Sequence, residues 1–173
     1  MPEPHHPATY AEAGVNLDLG EAASQLLYHA ARHTWEQRQG RFGEVIIPHD
    51  DFSGVRCIAV GMLPPDAVMG IGFDGIGTKI EIAERLGVWN TLAFDLFAMV
   101  CDDAIVQGAE PVLIGSVLDV RTLGSTTASH LNIIAQLAEG YVAAATAARV
   151  AVLNGELAEC GPRISGYGPF NCT

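Results

Sequence analysis

The sequence predicts one α/β domain, of the α+β type, in which helices cover one face of a mixed sheet. Two observations predict it. Stretches whose apolar residues recur at helical intervals are interleaved with shorter, nearly continuous apolar runs, which are typical of buried strands. The chain has 173 residues, 49% of them hydrophobic, which is long enough for one well-buried domain and short for two. We expect a tail over residues 1–16 and one domain over residues 17–173.

Four helices are predicted from helical spacing and from signals at their ends. Asp18 and Glu21 have the spacing of a capping box at the start of the first helix, which runs to about Glu36. The other three have polar residues that can cap their starts, and glycines end two of them. They span residues 78–86 with Gly87 after them, residues 90–107 with Gly108 after them, and the stretch from Ser125 or Thr126 to Ala148.

Strands are predicted over residues 45–47, 55–63, 67–73, 111–120 and 149–154, and a last one within residues 164–173. Those over residues 55–63, 67–73 and 111–120 are apolar at nearly every position, so both faces of their sheet need cover. The helices of one domain can shield one face only. The other face would be a large exposed apolar patch, which monomers seldom carry, and we therefore expect a two-fold symmetric homodimer with these strands at its interface.

The composition argues against two classes of partner. A net charge of −11, a pI near 4.7 and nine basic residues cannot easily supply the clustered Lys and Arg that nucleic acid or an anionic membrane requires. The stretch from Met1 to Pro7 lacks the basic and apolar regions of a signal peptide, and no later apolar run is long enough to span a membrane. We expect a cytoplasmic protein whose four cysteines, without a C-x-x-C pair, are reduced thiols.

The stretch Phe73–Lys79 combines a carboxylate, two glycines, a hydroxyl and an ammonium after an apolar run. Gly75 and Gly77 allow positive φ and let backbone amides approach a ligand closely. Lys79 can balance phosphate charge, and Asp74 can hold the hard cation that accompanies it. The helix predicted next would place the loop at a helix N-terminus, where free N–H groups favour an anion. The alternative is a strand end followed by a glycine turn.

Three carboxylates lie towards one side of the helix predicted over residues 90–107, namely Asp95, Asp102 and Asp103. Two helical turns span roughly 10 Å, too far for one small ion to be bound directly at both ends. More than one Mg²⁺, or contacts bridged by water, would fit this spacing. The alternative is an amphipathic helix with a solvated acidic face.

Three other site patterns are weaker. The P-loop pattern G-x-x-x-x-G-K-[ST] is absent from the sequence. Residues 70–75 match G-x-G-x-x-G, with Asp95 twenty residues beyond. Asp74 inside that match would repel a pyrophosphate without a metal, so a dinucleotide fold is a minor alternative. His29 and His33 lie one helical turn apart, which suits a metal, but no third ligand is nearby in the sequence.

Six motifs in order along the chain resemble aminoimidazole ribonucleotide synthetase, also called phosphoribosylformylglycinamidine cyclo-ligase, and its superfamily. Residues 10–18 resemble Y-x-x-A-G-V-x-x-D, and Phe42-Gly43 resembles a glycine-rich segment. Residues 74–79 resemble D-G-V-G-T-K, and residues 95–99 resemble D-L-V-A-M. The stretch from Asp103 to Pro111 resembles N-D-x-x-x-Q-G-A-E-P, and residues 155–159 resemble G-E-T-A-E. The superfamily includes other ATP-using enzymes, such as selenophosphate synthetase and thiamine-monophosphate kinase.

The resemblance implies an N-terminal domain that pairs with its twin into a β-barrel across a homodimer and supplies the ATP and Mg²⁺ site. The residues it associates with metal are Asp74, Asp95, Asp103 and Glu156. Those it places at the nucleotide are the same four acids with Gly43, Gly75, Gly77, Thr78 and Lys79. It assigns no catalytic nucleophile, because positioning and charge neutralisation supply most of the catalysis in phosphoryl transfer.

The implied reaction is ATP-dependent ring closure of formylglycinamidine ribonucleotide, a small-molecule nucleotide, to aminoimidazole ribonucleotide. The family has a second, C-terminal domain of similar size, which is absent from this chain. Asp102, Asn154 and Leu157 depart from the family motifs and put the acceptor in doubt more than the nucleotide. Two alternatives stay open, a dimeric nucleotide-binding or interaction module without turnover and a superfamily member with another acceptor.

Overall fold

The computed structural model describes residues 9–47, 55–125 and 127–173 and has a mixed α/β architecture, as the sequence predicts. Its helices are α1 (Leu17–Thr34), α2 (Lys79–Leu86), α3 (Leu92–Ile105) and α4 (Leu131–Ala148). Its strands are β1 (Val45–Ile46), β2 (Cys57–Ile58), β3 (Leu113–Val120), β4 (Gly124–Ser125), β5 (Ala128–Ser129) and β6 (Ala151–Glu159). Short 3-10 turns follow α1 and β6, at Trp35–Arg38 and Gly161–Arg163.

A parallel pair of strands, β3 and β6, forms the centre of the fold, with Leu113 opposite Ala151 and Val120 opposite Glu159. Parallel neighbours need a crossover connection, and the β4–β5 hairpin and α4 supply it here. The two other strand pairs, β1 with β2 and β4 with β5, are antiparallel and two residues long. The long strands that were expected over residues 111–120 and 149–154 are thus confirmed, and β6 continues to Glu159.

Helices α1 and α3 pack against α4, and α1 also packs against β6. Two clusters of buried apolar side chains result. The first gathers residues from α1 to α4 and β3 around Trp89 and Phe170. The second surrounds Phe97 and Tyr141 between α3, α4 and the start of β6. The core therefore lies on the helical side of the β3–β6 pair, which is the layering expected from the sequence.

Two predicted helix starts were wrong. The N-cap of α1 is Asn16, whose Oδ1 accepts from the Leu19 N–H at 3.1 Å, while Asp18 lies in the first turn. Helix α4 begins at Leu131, since Ser125 belongs to the β4–β5 hairpin and its Oγ accepts from the Ala128 N–H at 3.2 Å. A serine can cap a turn as readily as a helix. The other candidate cap, Thr126, lies outside the described residues.

The remaining helix ends are close to prediction. Helix α2 ends at Gly87, which has φ 66° and donates its N–H to the Ala83 carbonyl at 2.8 Å. The N-cap position of α3 is Thr91 rather than Asn90, without a capping hydrogen bond from its side chain, and the helix ends at Ile105 with Gly108 (φ 76°) just beyond. The last predicted strand is reduced to one bridge between Val120 and Cys172.

The two buried strands predicted over residues 55–63 and 67–73 were wrong for the single chain. Of the first, only β2 pairs, and the second has no regular structure. Val68 and Phe73 are 96% and 88% exposed. The apolar pattern is that of strands, but within the described residues no neighbouring strand or helix covers residues 67–73. The described residues of the chain form three two-stranded sheets and no closed barrel, so the barrel across a homodimer stays a prediction.

Two general expectations can be compared with the structure. None of the helices in the described ranges is long and apolar enough to cross a membrane. Cys57, Cys101, Cys160 and Cys172 are all free thiols, as expected from the absence of a C-x-x-C pair. Of the predicted tail, residues 1–8 lie outside the described ranges, and its last residue, Asn16, donates its N–H to Glu159 at 2.7 Å.

Candidate functional site at the glycine loop

The glycine loop, residues 73–79, leads directly into α2. Its side chains are exposed except for Ile76, which joins the first core cluster. Gly77 has φ 61°, a conformation that other residues rarely adopt, and a side chain at Gly75 or Gly77 would meet no atom within 4 Å. The Gly75 N–H donates to the Asp74 carboxylate at 2.7 Å. The loop is therefore anchored by one apolar residue and open to solvent on its polar side, and the positive φ expected of its glycines holds for Gly77.

Lys79, the first residue of α2, forms an ion pair with Asp95 on α3. Its Nζ lies 2.7 Å from the Asp95 Oδ1, and both side chains are 48% exposed. Such a half-exposed pair contributes at most about 1 kcal/mol to stability, because water screens it and both side chains lose freedom. The ion pair therefore leaves both groups available for exchange with a ligand. Two residues predicted for one site are thus brought together.

The other predicted acids are not assembled with this pair. Asp74 and Asp103 are exposed, and eight helical residues separate Asp103 from Asp95, or about 12 Å along α3. Glu156 is exposed on β6, where it lies opposite Val117 of β3. Among the described residues, no group of three or more His, Cys, Asp or Glu side chains is placed to hold a metal ion. The metal and nucleotide roles of these residues stay predictions.

A cavity of about 260 Å³ lies beneath the glycine loop. Residues 73–77 form one wall, and apolar side chains of α3, β3 and α4 form most of the rest, together with Cys172 and Thr173. Its polar feature is a hydrogen bond of 2.8 Å between Ser116 Oγ and Tyr141 Oη. Burial raises the pKa of Tyr141, and the hydrogen bond from Ser116 opposes that shift only in part. The phenol is therefore neutral at physiological pH, and this pair can offer a proton or a lone pair to a ligand.

Sequence reasoning did not identify Ser116 and Tyr141 as site residues. Tyr141 lies on the apolar side of α4, in the second core cluster. The signal that could have marked it is chemical, since a buried tyrosine hydroxyl needs a hydrogen-bond partner. The identity of that partner depends on how α4 packs against β3, which no local pattern in the sequence specifies.

Gly43 has a structural explanation of its own. It is buried with φ 80°, and a Cβ there would collide with the Val112 side chain. Nearby, the buried Arg38 donates to the Phe42 carbonyl at 3.0 Å and to Glu110 at 2.8 Å. Packing between this turn and the start of β3 therefore accounts for the glycine. Its predicted role at the nucleotide is untested.

A second, more polar groove of about 410 Å³ lies beside the end of α1. His29 and His33 line it together with Arg32, Glu36 and Glu44. These side chains do not form a metal-binding group in the described part of the chain. The histidine pair therefore has no third ligand among the described residues, and we make no metal-site prediction for it.

Comparisons with a family model and with individual known proteins point to the same family. Residues 56–170 match the family described as AIR synthase related protein, N-terminal domain. The chain is 30% identical over 159 residues to a phosphoribosylformylglycinamidine cyclo-ligase of Pyrococcus furiosus, covering 92% of this chain and 44% of that protein. It is 33% identical over 175 residues to the enzyme of the same name from Nitrosococcus oceani, covering 98% of this chain and again 44% of the relative.

A third relative is the trifunctional purine biosynthetic protein adenosine-3 of Chironomus tentans. The chain is 31% identical to it over 172 residues, which are 96% of this chain and 12% of that protein. The chain thus spans less than half the length of each of these three relatives. The family match covers more than half of the chain and includes the glycine loop, α2, α3 and both central strands. This chain therefore belongs to the AIR synthase related family and corresponds to its N-terminal domain.

Proposed function

We propose that this chain is the nucleotide-binding half of an ATP- and Mg²⁺-dependent cyclo-ligase of purine biosynthesis. The observation that carries the proposal is the exposed glycine loop at the N-terminus of α2, with the Lys79–Asp95 ion pair beside it. An open backbone, a helix dipole and an ammonium suit a polyphosphate, and carboxylates suit its cation. The relatives named phosphoribosylformylglycinamidine cyclo-ligase support the choice of reaction.

The donor set fits Mg²⁺ that arrives with the nucleotide. Mg²⁺ is usually bound by one or two carboxylates together with substrate phosphates and waters, rather than by a complete protein cage. Exposed acids without a three-ligand cluster in the described part of the chain are consistent with that mode. Asp74 and Asp95 would hold the metal next to the loop, and Asp103 and Glu156 would act through water or through a second ion. The metal would supply charge neutralisation, which favours binding of an anion to a chain of net charge −11.

Within this proposal, the residues of the chain have distinct tasks. The backbone of Gly75 and Gly77 lies along the triphosphate, with the hydroxyl of Thr78 beside it. Lys79 leaves Asp95 and turns to the phosphates, which frees the Asp95 carboxylate for the cation. The chemistry is transfer of a phosphoryl group to the formyl oxygen of formylglycinamidine ribonucleotide, attack by an internal nitrogen and loss of phosphate. Binding and orientation by these residues would supply most of the rate enhancement.

The second candidate is a nucleotide-binding module of the same fold without turnover of its own. The observation that favours it is coverage, because the chain spans only 44% of the two cyclo-ligases. A substrate pocket shared with a second domain would be incomplete in this chain. Steady formation of ADP and aminoimidazole ribonucleotide by the purified chain would exclude this candidate, and nucleotide binding without turnover would favour it.

Calorimetric titration with ATP tests the shared part of both candidates. We expect binding in Mg²⁺ and none in EDTA, and we expect Asp74→Asn to weaken it roughly tenfold, as for loss of a charged contact. Asp66→Asn, which neutralises an exposed acid in a nearby turn, is the matched control and should bind like the wild type. Equal ATP affinity in Mg²⁺ and in EDTA would rule out metal-bridged binding.

A further inference from the structure

We propose that residues 166–173 form a clasp that holds α2 and thereby positions the glycine loop, with Glu84 and Asn171 as its positioning residues. Neither residue belongs to the predicted nucleotide site. The effect on ATP rests on the proposed function, whereas the clasp itself does not.

The Glu84 carboxylate, in the last turn of α2, makes the hydrogen bonds between this helix and the clasp. Its Oε2 accepts from the Tyr167 N–H at 2.8 Å, and its Oε1 accepts from the Asn171 Nδ2 at 3.2 Å. Asn171 is 2% exposed, and its Nδ2 also donates to the Gly168 carbonyl at 3.0 Å. Hydrogen bonds to a charged acceptor are stronger than those between neutral groups. The carboxylate therefore ties the helix to a tightly folded turn of the clasp.

Two further contacts fix this turn against α2. A side chain at Gly166 would collide with the Glu84 carboxylate and the Asn171 amide, so the close approach depends on glycine there. The Arg85 guanidinium lies 3.8 Å from the centre of the Tyr167 ring, within the range of a cation–π interaction. Two consecutive residues of α2 thus contact the clasp.

The other end of the clasp is fixed to the central sheet. Thr173 and Asp119 exchange backbone hydrogen bonds of 2.8 and 2.9 Å, and the Arg121 N–H donates to the Asn171 carbonyl at 2.8 Å. Phe170 is 1% exposed and meets Trp89 edge to face, with ring centres 5.2 Å apart. The clasp therefore connects α2 to the end of β3, which is a rigid part of the core.

The glycine loop depends on the same contacts. Ile76, its buried residue, lies in one core cluster with Ala83 of α2 and with Phe170 and Cys172 of the clasp. Cys172 and Thr173 also line the cavity beneath the loop. Because α2 begins at Lys79, immediately after the loop, any movement of α2 away from β3 moves the loop as well. Opening of the clasp should therefore loosen the nucleotide site without removing any of its ligands.

The sequence offers a selective probe of this opening, because Lys79 is the only lysine in the chain. A lysine-specific protease can cut the chain only there, giving fragments 1–79 and 80–173. Cutting inside a helix needs local unfolding, so the cleavage rate reports how often the start of α2 opens. Alkylation of Cys172, which is 6% exposed, reports opening on the clasp side, with the exposed Cys57 as an internal reference.

The test compares wild type with Glu84→Gln, which removes the negative charge and replaces one of the two acceptor oxygens by an amide donor, opposite the donor of either Tyr167 or Asn171. We expect cleavage at Lys79 and alkylation of Cys172 to rise roughly tenfold, the effect of losing a hydrogen bond to a charged group. The affinity for ATP with Mg²⁺ should fall by a similar factor, and saturating nucleotide should restore protection of Lys79. Asn171→Ala, which leaves the Tyr167 bond in place, serves as the milder variant if Glu84→Gln does not fold.

Two controls separate the clasp from charge and from global stability. Glu139→Gln makes the same change at an exposed site on α4, and Val150→Ala destabilises the second core cluster, away from the clasp. Neither should raise cleavage at Lys79. Unchanged cleavage in Glu84→Gln would overturn the clasp, and faster cleavage with unchanged ATP affinity would overturn its positioning role. A wild type that binds no ATP would overturn the proposed function and the positioning role together, while cleavage and alkylation would still decide the clasp.

Discussion

Lys79 is the single lysine of the chain, and the structure pairs it with Asp95 instead of leaving it free beside the loop. The sequence predicted both residues for one site, because each lies in a recognisable motif. The ion pair between them could not be predicted, since the two residues are sixteen positions apart and lie on different helices. An ammonium already held near the loop loses less side-chain freedom when a phosphate replaces the carboxylate.

Replacing Lys79 by methionine should therefore affect binding much more than folding. We expect Lys79→Met to weaken the affinity for ATP with Mg²⁺ about tenfold or more, because a charge-assisted contact is lost. Stability should fall by no more than about 1 kcal/mol, as for an exposed ion pair. Calorimetry and urea unfolding measure the two effects, and Arg163→Met, at an exposed arginine elsewhere, is the control. ATP affinity within twofold of wild type would contradict a phosphate contact by Lys79.

Cys172 gives a prediction about alkaline pH. Burial, with a smaller contribution from the charge of Glu84, raises the pKa of Cys172 from 9.0 to about 12. Between these values the unfolded chain loses the thiol proton and the folded chain keeps it. The contribution of this thiol to the free energy of unfolding is therefore fully present below pH 9. It decreases as the pH rises towards 12, by up to about 1.4 kcal/mol per pH unit.

Urea unfolding between pH 8 and roughly pH 11 measures this dependence on proton binding. We expect Cys172→Ala to make the fall above pH 9 shallower, whatever its effect at pH 8. Cys57→Ala, at an exposed thiol, should keep the wild-type slope. Identical slopes for Cys172→Ala and wild type would show that another group is responsible.

At the level of elements, long periodic stretches were predicted well and short ones poorly. The 18-residue helices α1 and α4 and the strands β3 and β6 follow from their apolar patterns, although the start of α4 does not. The hairpin of β4 and β5 was missed because two-residue strands have no periodicity to detect. The cavity beneath the glycine loop was missed for a related reason. Its walls come from five separate parts of the chain, and only their packing creates it.

Gly43 and Gly20 differ in whether the local structure requires a glycine. Gly43 has φ 80° and touches Val112, whereas Gly20 lies inside α1 with nothing within 4 Å of an added Cβ. We expect Gly43→Ala to destabilise the fold by about 1 kcal/mol or more, from strain and overlap. Gly20→Ala should stabilise it by about 0.5–1 kcal/mol, since alanine suits a helix better.

Thermal and urea unfolding of both glycine variants, with ATP titration of each, separate packing from ligand contact. Equal stability of Gly43→Ala and wild type, together with weaker ATP binding, would show that Gly43 serves the nucleotide and not the packing against Val112. Lower stability with normal affinity in the folded fraction would assign it to packing.

For the whole molecule, the feature that the fold leaves unexplained is the exposure of the apolar segment 67–73. Val68, Met69, Ile71 and Phe73 are 81–96% exposed, and Val117 on β3 is 71% exposed. Residues 67–73 form a nearly continuous apolar run of the kind that buried strands have, yet the described part of the chain gives them no cover. Water contact with so many large side chains is costly, at roughly 25 cal/mol per Å² of apolar surface. A second copy of the chain could cover them, and a barrel across a homodimer would provide that cover.

We therefore predict a two-fold symmetric homodimer in which residues 67–73 are buried, with an interface of more than about 2,000 Å² in total. Ile71→Asp should produce folded monomers or aggregates, because a charge would be buried in that interface. Val106→Asp, at an apolar residue that is 74% exposed just beyond α3, should leave the dimer intact. Sedimentation velocity at micromolar concentration measures both. A wild-type monomer under these conditions would mean that the exposed segment has another partner, and the homodimer would have to be abandoned.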